Sequence, residues 1–186
     1  MSGWNSVGGI GARQFRCGHC GFNVANDKGY HHNDPNRRIY VCPNCDKPTY
    51  FYAGSLQLPG VVPGNEVEHL PADLASLYKE ARNCCGIGAY TASVLASRKM
   101  LMNIAVQQGA KEGLKFIEYV DHLAATGFIP PNGRGWVDHI RRKGNEATHE
   151  IALMSQADAE ELIAFTEMLL KFIYEFPARV PPAPAP

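Results

Sequence analysis

Long apolar stretches, an excess of either charge and a secretion signal are all missing from this sequence. No apolar run approaches the roughly 20 residues of a bilayer-spanning helix. The first residues, MSGWNSVGGIGARQF, lack the apolar core of a signal peptide. Lys and Arg number 18 and so do Asp and Glu, which excludes a strongly basic nucleic-acid-binding class. We therefore expect a soluble cytoplasmic protein that does not contact membranes, and any anion binding must come from a local patch.

Complete nucleotide-binding and nucleophile motifs are missing as well. GGIG near residue 8 and GIGAYT at residues 86–91 lack the Gly-Lys-Ser/Thr ending of a phosphate loop. No Ser/His/Asp order indicates a nucleophilic triad. These absences argue against a P-loop nucleotide-binding protein and a triad hydrolase.

Cysteine, by contrast, is present in an informative pattern. CGHC contains Cys17 and Cys20, CPNC contains Cys42 and Cys45, and 21 residues separate the two pairs. Two such knuckles supply the four thiolates of a tetrahedral zinc site. Four thiolates leave no open position on the ion, so we predict a structural Zn²⁺ rather than a catalytic one.

Residues around the cysteine pairs favour the same interpretation. RRIYVC and TYFYA have the β-branched and aromatic content of short strands, which is typical of a zinc ribbon. A redox role would need a thioredoxin-like strand-to-helix context, which this region does not offer. His19, His31 and His32 are possible substitute ligands, but with four well-spaced cysteines we expect them at the surface.

Apolar periodicity after the ribbon predicts helices. The first is expected from Pro71, and Cys84 and Cys85 near its end are expected as small core residues. Later helices are predicted over Ala89–Gln108, over Lys111–Thr126 with a stop at Gly127, after Pro130-Pro131, and from a Ser155/Asp158 cap to Pro177. We expect a zinc ribbon with a flexible N-terminus over residues 1–53, a linker over 54–70, a helical bundle over 71–177 and a disordered proline-rich tail over 178–186. The predicted fold class is mainly α, with a small N-terminal β zinc ribbon and an antiparallel bundle of about five helices.

The stretch HIRRKGNEATH carries the candidate active face. On a helix, an apolar stripe is expected to face the core, and it consists of Trp136, Ile140, Gly144, Ala147 and Ile151. Asp138, Arg142, Asn145 and His149 then line the opposite face, with Arg141 beside them. This pattern is typical of a solvated helix face, but it also brings an imidazole next to guanidiniums that can grip a phosphate.

The helical region is similar to a known family. Residues from about Leu70 to Val180, which include LYKEARNCC, WVDHIRRKGNEATHE and AEELIAFTEMLLKFIYEFP, resemble the domain of unknown function 4145 (DUF4145) family. The most specific piece is Arg141-x-x-Gly144-Asn145-x-x-x-His149, and the preceding four-cysteine zinc ribbon resembles an accessory of prokaryotic members. The family looks related to the HEPN superfamily of helical bundles, many of which are metal-independent ribonucleases in phage-defence and toxin systems.

This resemblance implies roles for the polar face. His149 becomes the general acid/base, Arg142 or Arg141 binds the scissile phosphate, Asn145 orients one of them, and two copies form a homodimer around the site. Six residues separate Arg142 from His149, as the HEPN ribonuclease spacing allows, whereas Arg141 fits the Arg-x-x-Gly-Asn pattern, so both stay candidates.

Three functions follow from these residues. The first is an HEPN-type endoribonuclease that needs no metal for catalysis. The second is a non-catalytic module in which the same face and the ribbon bind nucleic acid, a nucleotide or a protein partner. The third is an assembly role, in which Asp138, Arg142 and His149 pair across a dimer. The sequence leaves open whether the protein is an enzyme.

Overall fold

The computed structural model describes residues 3–54, 56–130, 133, 135–136 and 153–181. The chain forms two compact units, Met1–Val62 with Gly86–Gly88 and Pro63–Cys85 with Ala89–Pro186. We call them the sheet unit and the helical unit. Over the described ranges, no helix combines the length and the apolar character needed to cross a membrane.

The sheet unit is built on five antiparallel strands that follow one another in chain order. They are β1 Gly8–Arg16, β2 Asn23–His31, β3 Arg37–Val41, β4 Pro48–Tyr52 and β5 Leu56–Leu58. Short connections join successive strands, and this arrangement makes neighbours antiparallel. The register of β1 shifts between Gly9 and Arg13, where Gly11 has a φ of +88°, so the strand bends at a bulge.

Alternation along the strands gives the sheet two different faces. On one face Phe15, Tyr40 and Phe51 form an aromatic cluster, with ring centroids 5.2 to 6.0 Å apart. Cys17 and Cys42 are buried in the same small core. Ile39 and Tyr50, which pair directly across β3 and β4, lie on the other face. The buried face of the sheet therefore continues into the two Cys-x-x-Cys turns.

The described residues of the helical unit form four helices. They are α1 Ala72–Gly86, α2 Tyr90–Gln107, α3 Phe116–Ala125 and α4 Gln156–Leu170, and α4 continues through a π-helical turn, Lys171–Glu175, into the helical end Phe176–Arg179. The predicted cap of α4 is confirmed, because Ser155 accepts a hydrogen bond from Asp158 N–H while the Asp158 carboxylate accepts one from Ser155 N–H. Gly127 ends α3 with a φ of +84°, as predicted. The predicted start of α3 at Lys111 is wrong, since Gly113 has a φ of +79° and the helix begins at Phe116.

One continuous core joins these helices, and α2 lies at its centre, packed against α3 and α4. The largest fully buried hydrophobic side chains of this core come from α2, α3 and α4: Met100, Leu101, Ile104, Val120, Leu123, Ile163, Phe165, Leu169 and Leu170. Trp136 meets the ring of Phe165 edge to face at 5.2 Å, which agrees with its predicted place on a core-facing stripe. Of the two cysteines predicted as core residues, Cys85 is buried in this core, whereas Cys84 is only half-buried.

Two buried carboxylates fasten the chain between residues 63 and 68 to the last helix. Glu167 accepts hydrogen bonds from the backbone N–H and the side-chain amide of Asn65, at 2.9 and 3.0 Å, and pairs with Lys171. Glu175 accepts a bond of 3.1 Å from Glu68 N–H and pairs with Arg179 at 2.7 Å. Because each charge has several partners, its burial is compensated.

The predicted fold class is wrong. The described chain is a five-stranded antiparallel sheet followed by four helices, not a small ribbon followed by a five-helix bundle. The two longest strands, β1 and β2, were not predicted. Their sequences, GGIGARQFR and NVANDKGYH, are rich in glycine and polar residues, and most of these residues are exposed. Their register is set by pairing with neighbours, a property that strand propensity does not capture. Most of the predicted fourth helix lies outside the described residues.

Candidate metal centre

Two knuckles of the same geometry follow β1 and β3. In the first, Cys17 N–H donates to Phe22 O and Gly21 N–H to Cys17 O, both at 2.9 Å. In the second, Cys42 N–H donates to Lys47 O and Asp46 N–H to Cys42 O, again at 2.9 Å. The residue after the second cysteine is left-handed in both, with a φ of +73° at Gly21 and +56° at Asp46. Each Cys-x-x-Cys pair is therefore folded so that its two thiols face the same way.

The sheet brings the two knuckles together. The Sγ atoms of Cys17 and Cys45 lie 3.8 Å apart, as do those of Cys20 and Cys42. All four Sγ atoms lie within 4.8 Å of one another. Disulfide bonds are excluded, because an S–S bond measures about 2.05 Å. Four sulfurs placed tetrahedrally at the usual zinc–thiolate distance of about 2.3 Å have edges of about 3.8 Å, so the spacing fits a metal ion at the centre.

Burial differs between the two cysteines of each pair. Cys17 and Cys42 are fully buried in the aromatic core, whereas Cys20 and Cys45 are half-buried. The sulfurs also receive hydrogen bonds from His19 N–H to Cys17 at 3.4 Å and from the Asn44 amide to Cys20 at 3.5 Å. Such donors stabilise negative charge on sulfur and orient the ligands.

Protonation of the thiols is uneven in the absence of a cation. Burial and hydrogen bonds with the other thiols raise the pKa of Cys45 to about 12. Burial also acts to raise the pKa of Cys20, but hydrogen bonds from Phe22 N–H, from Asn44 and from the neighbouring thiols lower it to about 7. Four thiolates cannot share this space without a compensating charge, which a divalent cation supplies.

The histidines near the knuckles lie outside the cluster of four sulfurs. His19 bonds through Nε2 to the carbonyl oxygen of Pro48 at 2.9 Å. His31 and His32 are exposed at the far end of β2. Among the described residues, the four cysteines make the one group of ligand atoms close enough to hold a metal. The predicted ligand set therefore comes together as a possible metal site.

The candidate polar face cannot be placed in the same way. Arg141, Arg142, Asn145 and His149 all lie outside the described residues, and so does Asp138. Their roles stay predictions.

A second concave surface in the sheet unit was missed by sequence reasoning. Strands β2, β3 and β4 line a cleft of about 310 Å³ with two tyrosines, two histidines, two arginines and an isoleucine: Tyr30, Tyr50, His31, His32, Arg37, Arg38 and Ile39. The alternation in RRIYV and TYFY places Ile39 and Tyr50 on the face opposite the core. This alternation is visible in the sequence and could have indicated Ile39 and Tyr50, but only the strand register shows that Tyr30 lies beside them.

Comparisons with known proteins identify the helical region. The model of a family described as a domain of unknown function (DUF4145) matches residues 79–183, more than half of the chain. No curated protein and no solved structure matches the chain.

Proposed function

The chain belongs to the DUF4145 family, and from that premise we propose that it is an RNA-directed protein whose helical family domain is accompanied by a zinc-folded sheet module. The observation that carries the zinc part is the convergence of four cysteine Sγ atoms within 4.8 Å. A set of four sulfurs at tetrahedral spacing suits Zn²⁺. This ion has no redox chemistry, and because its d electrons impose no geometry, it accepts the tetrahedral arrangement that the protein provides.

The ion in this proposal has a structural role. Four protein thiolates complete its coordination, so no position is left for water or a substrate. The sheet unit has a small core of three aromatic rings and two cysteines, which is little apolar surface for a module of about sixty residues. Zinc binding therefore supplies much of the folding free energy of the sheet unit.

Metal content tests this part directly. Purified protein should contain one zinc ion per chain, and Cys42→Ser should lose it because three thiolates and a buried hydroxyl hold the ion poorly. Cys84→Ser is the matched control, since Cys84 lies on α1 in the helical unit. Equal zinc content in Cys42→Ser and Cys84→Ser contradicts the proposal.

The RNA-directed part is supported by the chemistry of four predicted residues and by the resemblance of the helical region to the HEPN superfamily. Arg141, Arg142 and Asn145 offer donors suited to a phosphate, and His149 offers a group that can move protons near neutral pH. Together they suit metal-independent RNA cleavage between two copies of the chain, of the kind used in prokaryotic conflict with phage. The alternative is a module that binds RNA, a nucleotide or a protein partner without changing it.

Incubation of the zinc-loaded protein with RNA in EDTA separates these possibilities. Cleavage that is abolished in His149→Ala and retained in His69→Asn, an exposed histidine of the helical unit, supports the enzyme. Binding without product, weakened in Arg142→Gln, supports the non-catalytic module. Circular dichroism before and after EDTA controls for loss of the structural ion.

A further inference from the structure

The face of the sheet that points away from the core carries rings where an antiparallel sheet usually carries polar side chains. Tyr30 pairs with Ile39 across β2 and β3, and Ile39 pairs with Tyr50 across β3 and β4. Tyr52 continues the same face and is 39% exposed. Tyr30, Ile39 and Tyr50 therefore form a row across three strands. Since strands lie about 4.8 Å apart, the backbones of Tyr30 and Tyr50 are roughly 9.6 Å apart, with Ile39 between them. The row leaves a slot above Ile39 that suits one planar group.

The rings of this row are held in place. Tyr30 donates from its hydroxyl to Asn5 O at 2.6 Å, and its ring contacts Trp4 at a centroid distance of 6.0 Å. Tyr50 is half-buried between its neighbours on β4. A fixed aromatic platform loses little conformational entropy when it binds a flat ligand.

A cation on the same face borders the slot. Arg37 pairs with Tyr52 across β3 and β4, whereas Arg38 pairs with Phe51 on the core face. The Nε of Arg37 donates to the Asp34 carboxylate at 3.2 Å, and its guanidinium lies over the Tyr52 ring at 5.3 Å. Within the described part of the chain, no hydrogen bond from its Nη1 or Nη2 is found, so these two groups can grip a phosphate with parallel donors.

A histidine completes the rim. Asp34 N–H donates to Nδ1 of His32 at 3.0 Å. In a neutral imidazole with Nδ1 as acceptor, the proton is on Nε2, which can donate to a ligand. The cleft therefore combines stacking surfaces, a fixed guanidinium edge and an N–H donor in about 310 Å³, a volume suited to a small ligand such as a single nucleotide unit.

We propose that this cleft binds single-stranded nucleic acid, with a base stacked on Tyr50 above Ile39 and the adjacent phosphate held by Arg37. Unpaired bases offer the flat faces that tyrosine rings stack on, and phosphates offer the charge that complements arginine. In a duplex the base faces are covered, and an acidic peptide has no ring to stack. The site lies in the sheet unit and goes beyond the proposed activity, because it uses none of Arg141, Arg142 or His149.

Fluorescence anisotropy with labelled oligouridine RNA and oligothymidine DNA of about eight nucleotides tests the cleft. The full chain is used, zinc-loaded, in an Arg141→Gln/Arg142→Gln background that removes the other predicted phosphate contacts. Tyr50→Leu and Arg37→Gln should each weaken binding about tenfold. Arg37→Gln should also reduce the slope of log affinity against log salt by about 0.7.

Matched variants control for structure and charge. Tyr50→Phe keeps the ring, and Lys47→Gln removes an exposed charge in the second knuckle, at the opposite end of β3 from Arg37; both should bind within about twofold of the parent. Equal affinity for RNA and DNA supports recognition of base and phosphate alone, and preference for RNA supports an added contact to the 2′-hydroxyl. Binding unchanged by Tyr50→Leu and Arg37→Gln, absent altogether, or as tight for duplex RNA overturns the proposal. The proposed function is tested separately, on Tyr50→Leu in the otherwise wild-type chain. Its zinc content and its His149-dependent cleavage show whether that function holds when the cleft is disabled.

Discussion

The Sγ atoms of Cys17 and Cys45 lie 3.8 Å apart, although 28 positions separate these residues along the chain. Cys20 and Cys42 repeat the distance. Each contact links a cysteine of the knuckle after β1 to one of the knuckle after β3, so the β1–β2 and β3–β4 connections meet at one point. A cation bound at that point would cross-link the two halves of the sheet.

Removal of the metal should unfold the sheet unit and leave the helical unit folded. The three aromatic rings of its core give the sheet unit little apolar burial, whereas the helical core is formed from many buried aliphatic residues. Hydrogen exchange followed by mass spectrometry, with and without a zinc chelator, should show lost protection over β2 to β4 and retained protection over α2. Unchanged protection of β3 in protein verified as zinc-free contradicts this expectation.

The sequence predicted the site better than the fold. Spacing alone identified Cys17, Cys20, Cys42 and Cys45, because two Cys-x-x-Cys pairs at this separation are typical of a metal site. Ser155 likewise indicated the start of α4 through local capping chemistry. Strands β1 and β2 were missed because their register is set by pairing with neighbouring strands, which is not a local property. For the same reason the row formed by Tyr30, Ile39 and Tyr50 is recognised only once the register is known.

Glu167→Gln should destabilise the helical unit by about 2 kcal/mol. Glu167 is 9% exposed, and its carboxylate accepts two hydrogen bonds from Asn65 while it pairs with Lys171. A neutral amide must therefore turn its NH₂ group toward one of these donors. Chemical denaturation followed by far-ultraviolet circular dichroism measures the change. Glu112→Gln, at an exposed position, is the control and should change stability by less than about 0.5 kcal/mol.

Acid should weaken the helical unit through the same residue. Burial acts to raise the pKa of Glu167, but hydrogen bonds from Lys171 and Asn65 outweigh it and lower the pKa. A carboxylate whose folded pKa lies below its unfolded value of about 4.3 stabilises the protein above that pH, and the contribution is lost as pH falls through the folded pKa. Unfolding free energies measured from about pH 6 to 3 should therefore fall less steeply in Glu167→Gln, which binds no proton there. Identical slopes in the two proteins would count against this assignment.

Ser155→Ala should cost about 1 kcal/mol of helical-unit stability. The substitution removes the oxygen that accepts the Asp158 N–H bond of 3.2 Å, and it leaves one donor of the first turn unsatisfied. Ser155→Thr keeps a hydroxyl and should recover most of the loss. Thermal unfolding of the three proteins at one pH gives the comparison, and equal stability of Ser155→Ala and wild type would show that the cap contributes nothing.

X-ray absorption at the zinc edge tests the central claim most directly, because it reports the atoms bound to the ion. We predict one zinc per chain with four sulfur neighbours at about 2.3 Å and no nitrogen or oxygen in the first coordination shell. A shell with fewer than four sulfurs, a nitrogen or oxygen ligand, or a protein purified with another metal or none at this position would contradict the assignment of Cys17, Cys20, Cys42 and Cys45 as a structural zinc site.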